Sequence, residues 1–289
     1  METQRITVNG LDIAYVEQGS GPLALLLHGF PETPETFRHL LPELAKAGYR
    51  AVAPYMRGFA PSQVPTDGSM LMKDLIADAN ALHDALGGDG DAIIVGHDWG
   101  GFTTWGAAAH APERWSKVIV ADVPPVRFYE RRADVPEQIH KNSHFYFFQM
   151  AIADQLVPAN DFAYLDWLWQ HWSGLTPYDS ARDRQAGKDA LREPANLQAG
   201  LGLYRQNFPS RTFGTDAWEM GRLLADLPPQ PTLYLHGSED PVVNEEILAD
   251  IVAALPEGSQ GALLPGVGHF PLLEAPEEVN KRILAFLNA

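Results

Sequence analysis

Gly96-His97-Asp98-Trp99-Gly100 sets an acidic residue between small ones, where a buried apolar run meets a helical one. Small–X–nucleophile–X–small is the spacing of a nucleophile elbow, a turn too tight for bulky flanking residues. Such a turn lifts the central side chain to the carboxyl end of a sheet and the N-terminus of the next helix, where the helix dipole favours an anion. Asp98 there can be an ionised nucleophile; the same position suits an Asp that only caps the helix. Downstream, Asp240 stands in GSEDPVV and His269 in GVGHFP, 269 − 240 = 29 residues apart, each after an apolar run. Nucleophile, acid and histidine in that order can form a triad in which the acid orients the histidine and the histidine activates water. His28-Gly29-Phe30-Pro31 follows an earlier strand, where a backbone N–H of an oxyanion hole is expected.

The residue type at the elbow narrows the chemistry. A serine there attacks a carbonyl and forms an acyl-enzyme. A carboxylate doing the same would form a reactive anhydride, so its productive partner is an electrophilic sp³ carbon with a strained or stable leaving group. The product is an alkyl ester of Asp98. Water activated by His269 then attacks the ester carbonyl while the oxyanion hole holds the developing charge. Lipase, esterase and haloperoxidase chemistry need a serine where this chain has Asp98.

Positioning these groups requires strands that end together. Residues 4–9 and 11–18 alternate like an antiparallel hairpin about Asn9-Gly10. Residues 23–27 (LALLL) read as a strand buried on both faces. Residues 37–47 read as a helix with Phe37, Leu40, Leu41 and Leu44 on one face, 50–54 as a strand, and 70–86 as a helix stopped by Gly87-Gly88. A strand at 92–95 runs into the elbow, followed by a helix at 102–111 and a strand at 118–121. From about 124 to 212 no buried-strand run occurs; aromatic helical stretches such as SHFYFFQM and FAYLDWLWQHW replace it. Alternation returns with strands at 232–236 and 261–264 and helices at 245–254 and 277–287. The expected organisation is a parallel α/β sheet domain, residues 1–125 and 214–289, interrupted by a helical lid at 126–213. Trp167, Trp169 and Trp172 with Tyr164 are expected to form the lid's own core and part of a pocket wall. His28 and His97 are expected to hydrogen-bond within the fold, and His236, Asp240 and His269 to hold strand-end roles rather than a metal.

Together, HGFPE, GHDWGG, GSEDP and GVGHFP resemble the epoxide hydrolase branch of the α/β-hydrolase superfamily, over nearly the whole chain. The resemblance implies an α/β-hydrolase fold, a mostly parallel sheet with an inserted helical cap, in which Phe30 and Trp99 supply the oxyanion-hole N–H groups beside the substrate. It implies an epoxide opened to a vicinal diol through the Asp98 ester. Haloalkane and haloacid dehalogenases share the Asp nucleophile and are the alternative. Haloalkane dehalogenases commonly carry Asn where this chain has Phe30, and fluoroacetate dehalogenases carry Arg where it has Trp99. Epoxide hydrolases place two cap tyrosines over the nucleophile. Tyr204 in LGLYRQNF matches the second; where the first should fall, five residues before Gln149, this chain has His144. A neutral histidine can donate from a ring nitrogen, and a His/Tyr pair is similar to one type within the family. A two-residue slip would put Tyr146 in that place. Asp122, 122 − 98 = 24 residues after the elbow Asp, matches the position from which haloalkane and fluoroacetate dehalogenases take their relay acid. Asp240 matches the epoxide hydrolase position and is expected to serve His269, with Asp122 as a helper. A ligand receptor without activity would need none of the three.

Composition limits the partners. At 289 residues, 45% hydrophobic and 20% charged, the chain is globular in balance. Its 37 acidic against 21 basic residues, net −16, argue against a nucleic-acid or anionic-membrane partner. Cysteine is absent, which excludes disulfides, thiol catalysis and thiolate metal sites. The N-terminus shows no apolar targeting segment, and no stretch is long enough to span a bilayer. The expectation is a cytoplasmic enzyme without cofactor or metal, acting on a small epoxide and water, whose one macromolecular partner would be a second copy in a homodimer.

Overall fold

The computed structural model describes residues 2–130, 135–209, 211–213, 215, 217–242 and 248–289. In chain order the strands are β1 (Gln4–Val8), β2 (Leu11–Gly19), β3 (Leu23–Leu27), β4 (Arg50–Pro54), β5 (Ile93–His97), β6 (Lys117–Ala121), β7 (Thr232–Gly237) and β8 (Gln260–Leu264). They form one sheet in the order β1-β2-β4-β3-β5-β6-β7-β8. Only β2 runs antiparallel to its neighbours; β4 through β8 are parallel. Asn9 and Gly10 join β1 to β2 at φ 48 and 76, the two positive values that a tight hairpin turn matching strand twist requires.

The helices before the insertion are α1 (Leu41–Lys46), α2 (Met72–Ala85) and α3 (Trp99–His110). Between β6 and β7 come α4 (Val126–Glu130), α5 (Pro136–Lys141), α6 (Ser143–Gln149), α7 (Ala153–Leu156), α8 (Ala159–Trp172), α9 (Ala181–Ala190), α10 (Pro194–Asn207) and α11 (Glu219–Leu223). The chain ends with α12 (Leu248–Ala254), α13 (Pro271–Glu274) and α14 (Pro276–Leu287). Among the described residues no helix is long and apolar enough to cross a membrane.

Strand alternation divides the core into two layers. Leu23, Leu25 and Leu27 face α2, α3 and the insertion, while Ala24 and Leu26 face α1 and α14. A side-chain period of two on a strand covered on both faces produces the continuous LALLL run. From β3 the chain moves outward to β4, then returns past β3 to β5. β3 and β5 are therefore the neighbours between which the winding reverses, where a crevice opens at the carboxyl ends of the strands.

Three expectations need adjustment. The helix expected over 37–47 is two pieces, a 3₁₀ turn at Pro34–Phe37 and α1 from Leu41. Pro42 explains the break, because proline is accepted in a helix's first turn and not further along. The first three residues of the helix expected at 245–254 lie outside the described residues; α12 is described from Leu248. Trp167 is half exposed rather than part of a lid core. On α8 it points away from Trp169, which stacks on Phe270 at 3.9 Å, since two residues along a helix turn by about 200°.

Candidate active site

Asp98 links β5 to α3 with φ 50 and ψ −121, a conformation that costs a non-glycine residue ~1–3 kcal/mol. The elbow is held by close backbone approach. A Cβ on Gly96 would stand 2.3 Å from the Gly100 carbonyl oxygen, and one on Gly100 1.9 Å from that of Leu27. The Asp98 side chain makes no capping hydrogen bond to α3. Its Oδ1 instead accepts the Phe30 N–H across the β3/β5 crevice at 2.7 Å. Trp99 follows as the first residue of α3, and a first-turn amide has no partner within its own helix.

His269 approaches the other carboxylate oxygen. Its Nε2 lies 3.6 Å from Asp98 Oδ2 and its Nδ1 3.2 Å from Asp240 Oδ2. All three residues are buried. Burial opposes charge on His269, but the Asp240 and Asp98 carboxylates outweigh it and hold its pKa well above the ordinary histidine value. Burial likewise opposes charge on Asp240, yet the His269 ring beside it keeps that carboxyl below its usual range. Asp122 behaves oppositely. Burial at the end of β6, with the charge of Asp240 nearby, raises its pKa well above the ordinary carboxylate value. Its Oδ1 accepts the Gly237 N–H at 2.7 Å.

Asp122, His236 and Asp240 bring one potential ligand atom each within 4.8 Å of one another. Each is engaged already: Asp240 with His269 and the Val242 N–H, Asp122 with the Gly237 N–H, and His236 Nδ1 3.0 Å from the Tyr234 hydroxyl. They form a buried hydrogen-bonded set around the β6 and β7 ends.

The insertion supplies an aromatic roof. Tyr204 on α10 is buried against Phe30 and Trp99, with ring centroids 5.4 and 5.1 Å away. His144 on α6 meets Tyr204 edge-on at 5.7 Å and Trp172 at 4.9 Å, and Trp172 in turn lies 5.2 Å from His269. Burial lowers the His144 pKa to about 3, and the nearby His269 charge adds to this, although the Lys141 carbonyl hydrogen-bonds the ring. His144 is therefore neutral at physiological pH. Tyr146 is 45% exposed and points away from this group. Its separation of two residues from His144 places it on the opposite side of α6.

Two carboxylates stand at the site without having been singled out from the sequence. Glu32 accepts the Gly29 N–H, the Thr36 hydroxyl and the His97 ring at Nδ1 within 2.7–2.9 Å. Burial would raise its pKa, but His97 and these donors bring it down to about 2. His97 Nε2 reaches the His269 carbonyl oxygen at 2.6 Å, tying the β3/β5 crevice to the histidine loop. Glu274 accepts three backbone N–H groups around that loop. The only sequence signal was an acid close to a motif, as in HGFPE and HFPLLE. His28 holds the Gly29 carbonyl and the Met56 N–H, a wholly internal role.

Comparison with known proteins agrees with this architecture. Residues 22–276 match the family model described as the alpha/beta hydrolase fold. Epoxide hydrolase 4 of Mus musculus is 32% identical over 98% of this chain and 78% of its own. An epoxide hydrolase of Caballeronia sordidicola is 30% identical over 98% of this chain and 92% of its own. Among solved structures, a Bacillus megaterium epoxide hydrolase bound to an inhibitor superposes with a TM-score of 0.84 at 25% identity, covering 99% of this chain and 100% of that one. A variant of an epoxide hydrolase from the same organism, bound to its diol product, reaches 0.87 at 26% identity over the same shares. With the elbow, the crevice and these similarities together, the chain belongs to the epoxide hydrolase family of the α/β-hydrolase fold.

Proposed function

We propose that this chain converts an epoxide and water to a vicinal diol through an alkyl ester of Asp98. Asp98 Oδ2, the oxygen on the His269 side, attacks an epoxide carbon. The C–O bond breaks and the ring oxygen takes a proton or strong hydrogen bond from the cap. Tyr204 is the principal donor in this reading. His144 is the second, and to act it must turn its single N–H from the Lys141 carbonyl to the ring oxygen, because a neutral imidazole cannot donate to both. Water deprotonated by His269 then attacks the ester carbonyl. The resulting oxyanion sits on the Phe30 N–H, which already holds Asp98 Oδ1, and on that of Trp99.

One observation carries this reading: Asp98 is held between the Phe30 N–H and His269 rather than by its own helix. The same contacts explain how His269 can act as a base despite its raised pKa. While Asp98 is ionised it helps hold the proton on His269. Esterification removes that charge, so the histidine pKa falls at the step that needs a base. Asp240 orients the ring throughout, and Asp122, held by the Gly237 N–H, stands behind it.

Residues 126–213 act in this reading as a cap that closes over the nucleophile, since Tyr204 and His144 both come from it. Homodimer formation through the cap is supported by exposed apolar side chains at Tyr146, Met150, Ile152, Leu156 and Trp167. A cysteine-free, acidic chain suits a cytoplasmic setting. The test is turnover of a panel of styrene-type, aliphatic and cyclic epoxides beside matched haloalkanes. Diol formation without halide release is expected; halide release with inert epoxides would transfer the same nucleophile to dehalogenation.

A further inference from the structure

The loop carrying His269, residues 265–270, lies outside strand and helix, so its buried amides have no ladder to satisfy them. Glu274, on α13, does so instead, while itself 4% exposed. Its Oε2 accepts the Gly268 N–H at 2.9 Å and the Gly174 N–H at 2.8 Å; its Oε1 accepts the Phe270 N–H at 3.0 Å. The amides on both sides of His269 therefore end on one carboxylate, together with an amide from the strap that leaves α8. That strap is bound to the loop directly as well. The His269 N–H donates to the Trp172 carbonyl at 2.7 Å, and the Leu175 and Thr176 N–H groups both donate to the Gly266 carbonyl. The two backbones approach so closely that a Cβ on Gly174 would stand 2.4 Å from the Gly268 nitrogen.

We propose that Glu274 is a positioning residue for His269, clamping the histidine loop to the strap of the cap, so that ester hydrolysis depends on it and ester formation does not. Only a carboxylate offers two oxygens with acceptor capacity for all three N–H groups. A glutamine would supply one oxygen and turn an NH₂ donor toward an N–H donor. Asp98, by contrast, is set by the elbow and the Phe30 N–H, and meets this loop at His269 Nε2, 3.6 Å away.

This proposal rests on the two-step ester reading, and the test separates the two. Full-length wild type, His269→Gln and Glu274→Gln are mixed with styrene oxide in single turnovers, quenched at intervals and weighed intact. Glu274→Gln should form the alkyl-enzyme within about threefold of the wild-type rate but hydrolyse it at least about tenfold more slowly. Both are first-order rates of folded molecules, so a reduced folded fraction does not produce the split. Gly174→Ala, which keeps the carboxylate and forces strap and loop apart, should give the same split and serves where Glu274→Gln does not fold. Both steps slowed alike, or neither slowed, would overturn the proposal while the adduct itself upheld the ester. No adduct on wild type or on His269→Gln would overturn the ester reading and the proposal with it.

Discussion

His269 Nε2 lies 3.6 Å from Asp98 Oδ2, while its other nitrogen is nearer to Asp240, at 3.2 Å. A histidine so placed is oriented by one carboxylate and electrostatically paired with the other. In the proposed reaction such a histidine leaves Asp98 to attack without a base and takes a proton from water once esterification has removed the Asp98 charge.

The two acids should separate cleanly. Asp122 Oδ1 accepts the Gly237 N–H, a role an asparagine oxygen keeps, and burial with the Asp240 charge disfavours ionisation there, so Asp122→Asn should leave activity within about threefold of wild type. Asp240→Asn removes the charge facing Nδ1 and should slow ester hydrolysis about a hundredfold or more. Single-turnover kinetics of both variants decide; greater damage from Asp122→Asn would reverse the assignment.

The roof residues should differ in weight. Tyr204→Phe keeps the ring packed against Phe30 and Trp99 and removes only the hydroxyl. A donor that strengthens as the ring oxygen becomes an alkoxide acts in the transition state, so kcat should fall more than KM rises. The loss should be on the order of 3 kcal/mol, about a hundredfold, in the alkylation step. His144→Phe should cost less than Tyr204→Phe, and Tyr146→Phe, at an exposed site, nothing measurable. A larger effect from Tyr146→Phe than from His144→Phe would contradict the placement of α6.

Acid stability should report the neutral histidines. Burial lowers His28 to about 4 and His144 to about 3, below the 6.5 of an unfolded chain. Between those values and 6.5 the unfolded chain binds more protons. Their contribution is therefore full above pH 6.5 and is lost as pH falls toward 3. His269 has the opposite sign: its contribution is full below 6.5 and is lost as pH rises through its raised pKa. Asp183, raised to about 6, and Asp122, also raised, act in the opposite sense to His28 and His144. The test is therefore a difference: in urea unfolding between pH 4 and 6.5, His144→Gln should lower the slope of stability with pH by up to about one proton. An unchanged slope would mean that His144 is not held neutral.

The sequence was legible where neighbours in the chain are neighbours in space. LALLL states its burial on two faces, and Gly96 and Gly100 announce a turn whose contacts involve residues 96, 98 and 100 and the adjacent strand. Relations between strand ends were not legible. Asp122 and Asp240 both follow strands at suitable distances from Asp98 and His269, and only the fold separates them, by putting Asp240 Oδ2 3.2 Å from His269 Nδ1 and Asp122 Oδ1 on the Gly237 N–H. Glu32 and Glu274 escaped notice because their work is accepting main-chain amides, which no spacing pattern encodes. The tryptophans of α8 were legible only in part for a related reason: an aromatic-rich helix shows that something is packed, but not that Trp169 and Trp172 also pack on the histidine loop or that Trp167 is left half exposed.

One measurement reaches the ester directly, without a variant. A single turnover of the unmodified protein in H₂¹⁸O, followed by peptide mass spectrometry and analysis of the diol, traces where the water oxygen goes. Attack of water on the Asp98 ester carbonyl leaves ¹⁸O in the Asp98 carboxylate and an unlabelled diol from that first turnover. Label in the diol with none in Asp98 would mean that water opens the epoxide itself, and that Asp98 is not the nucleophile.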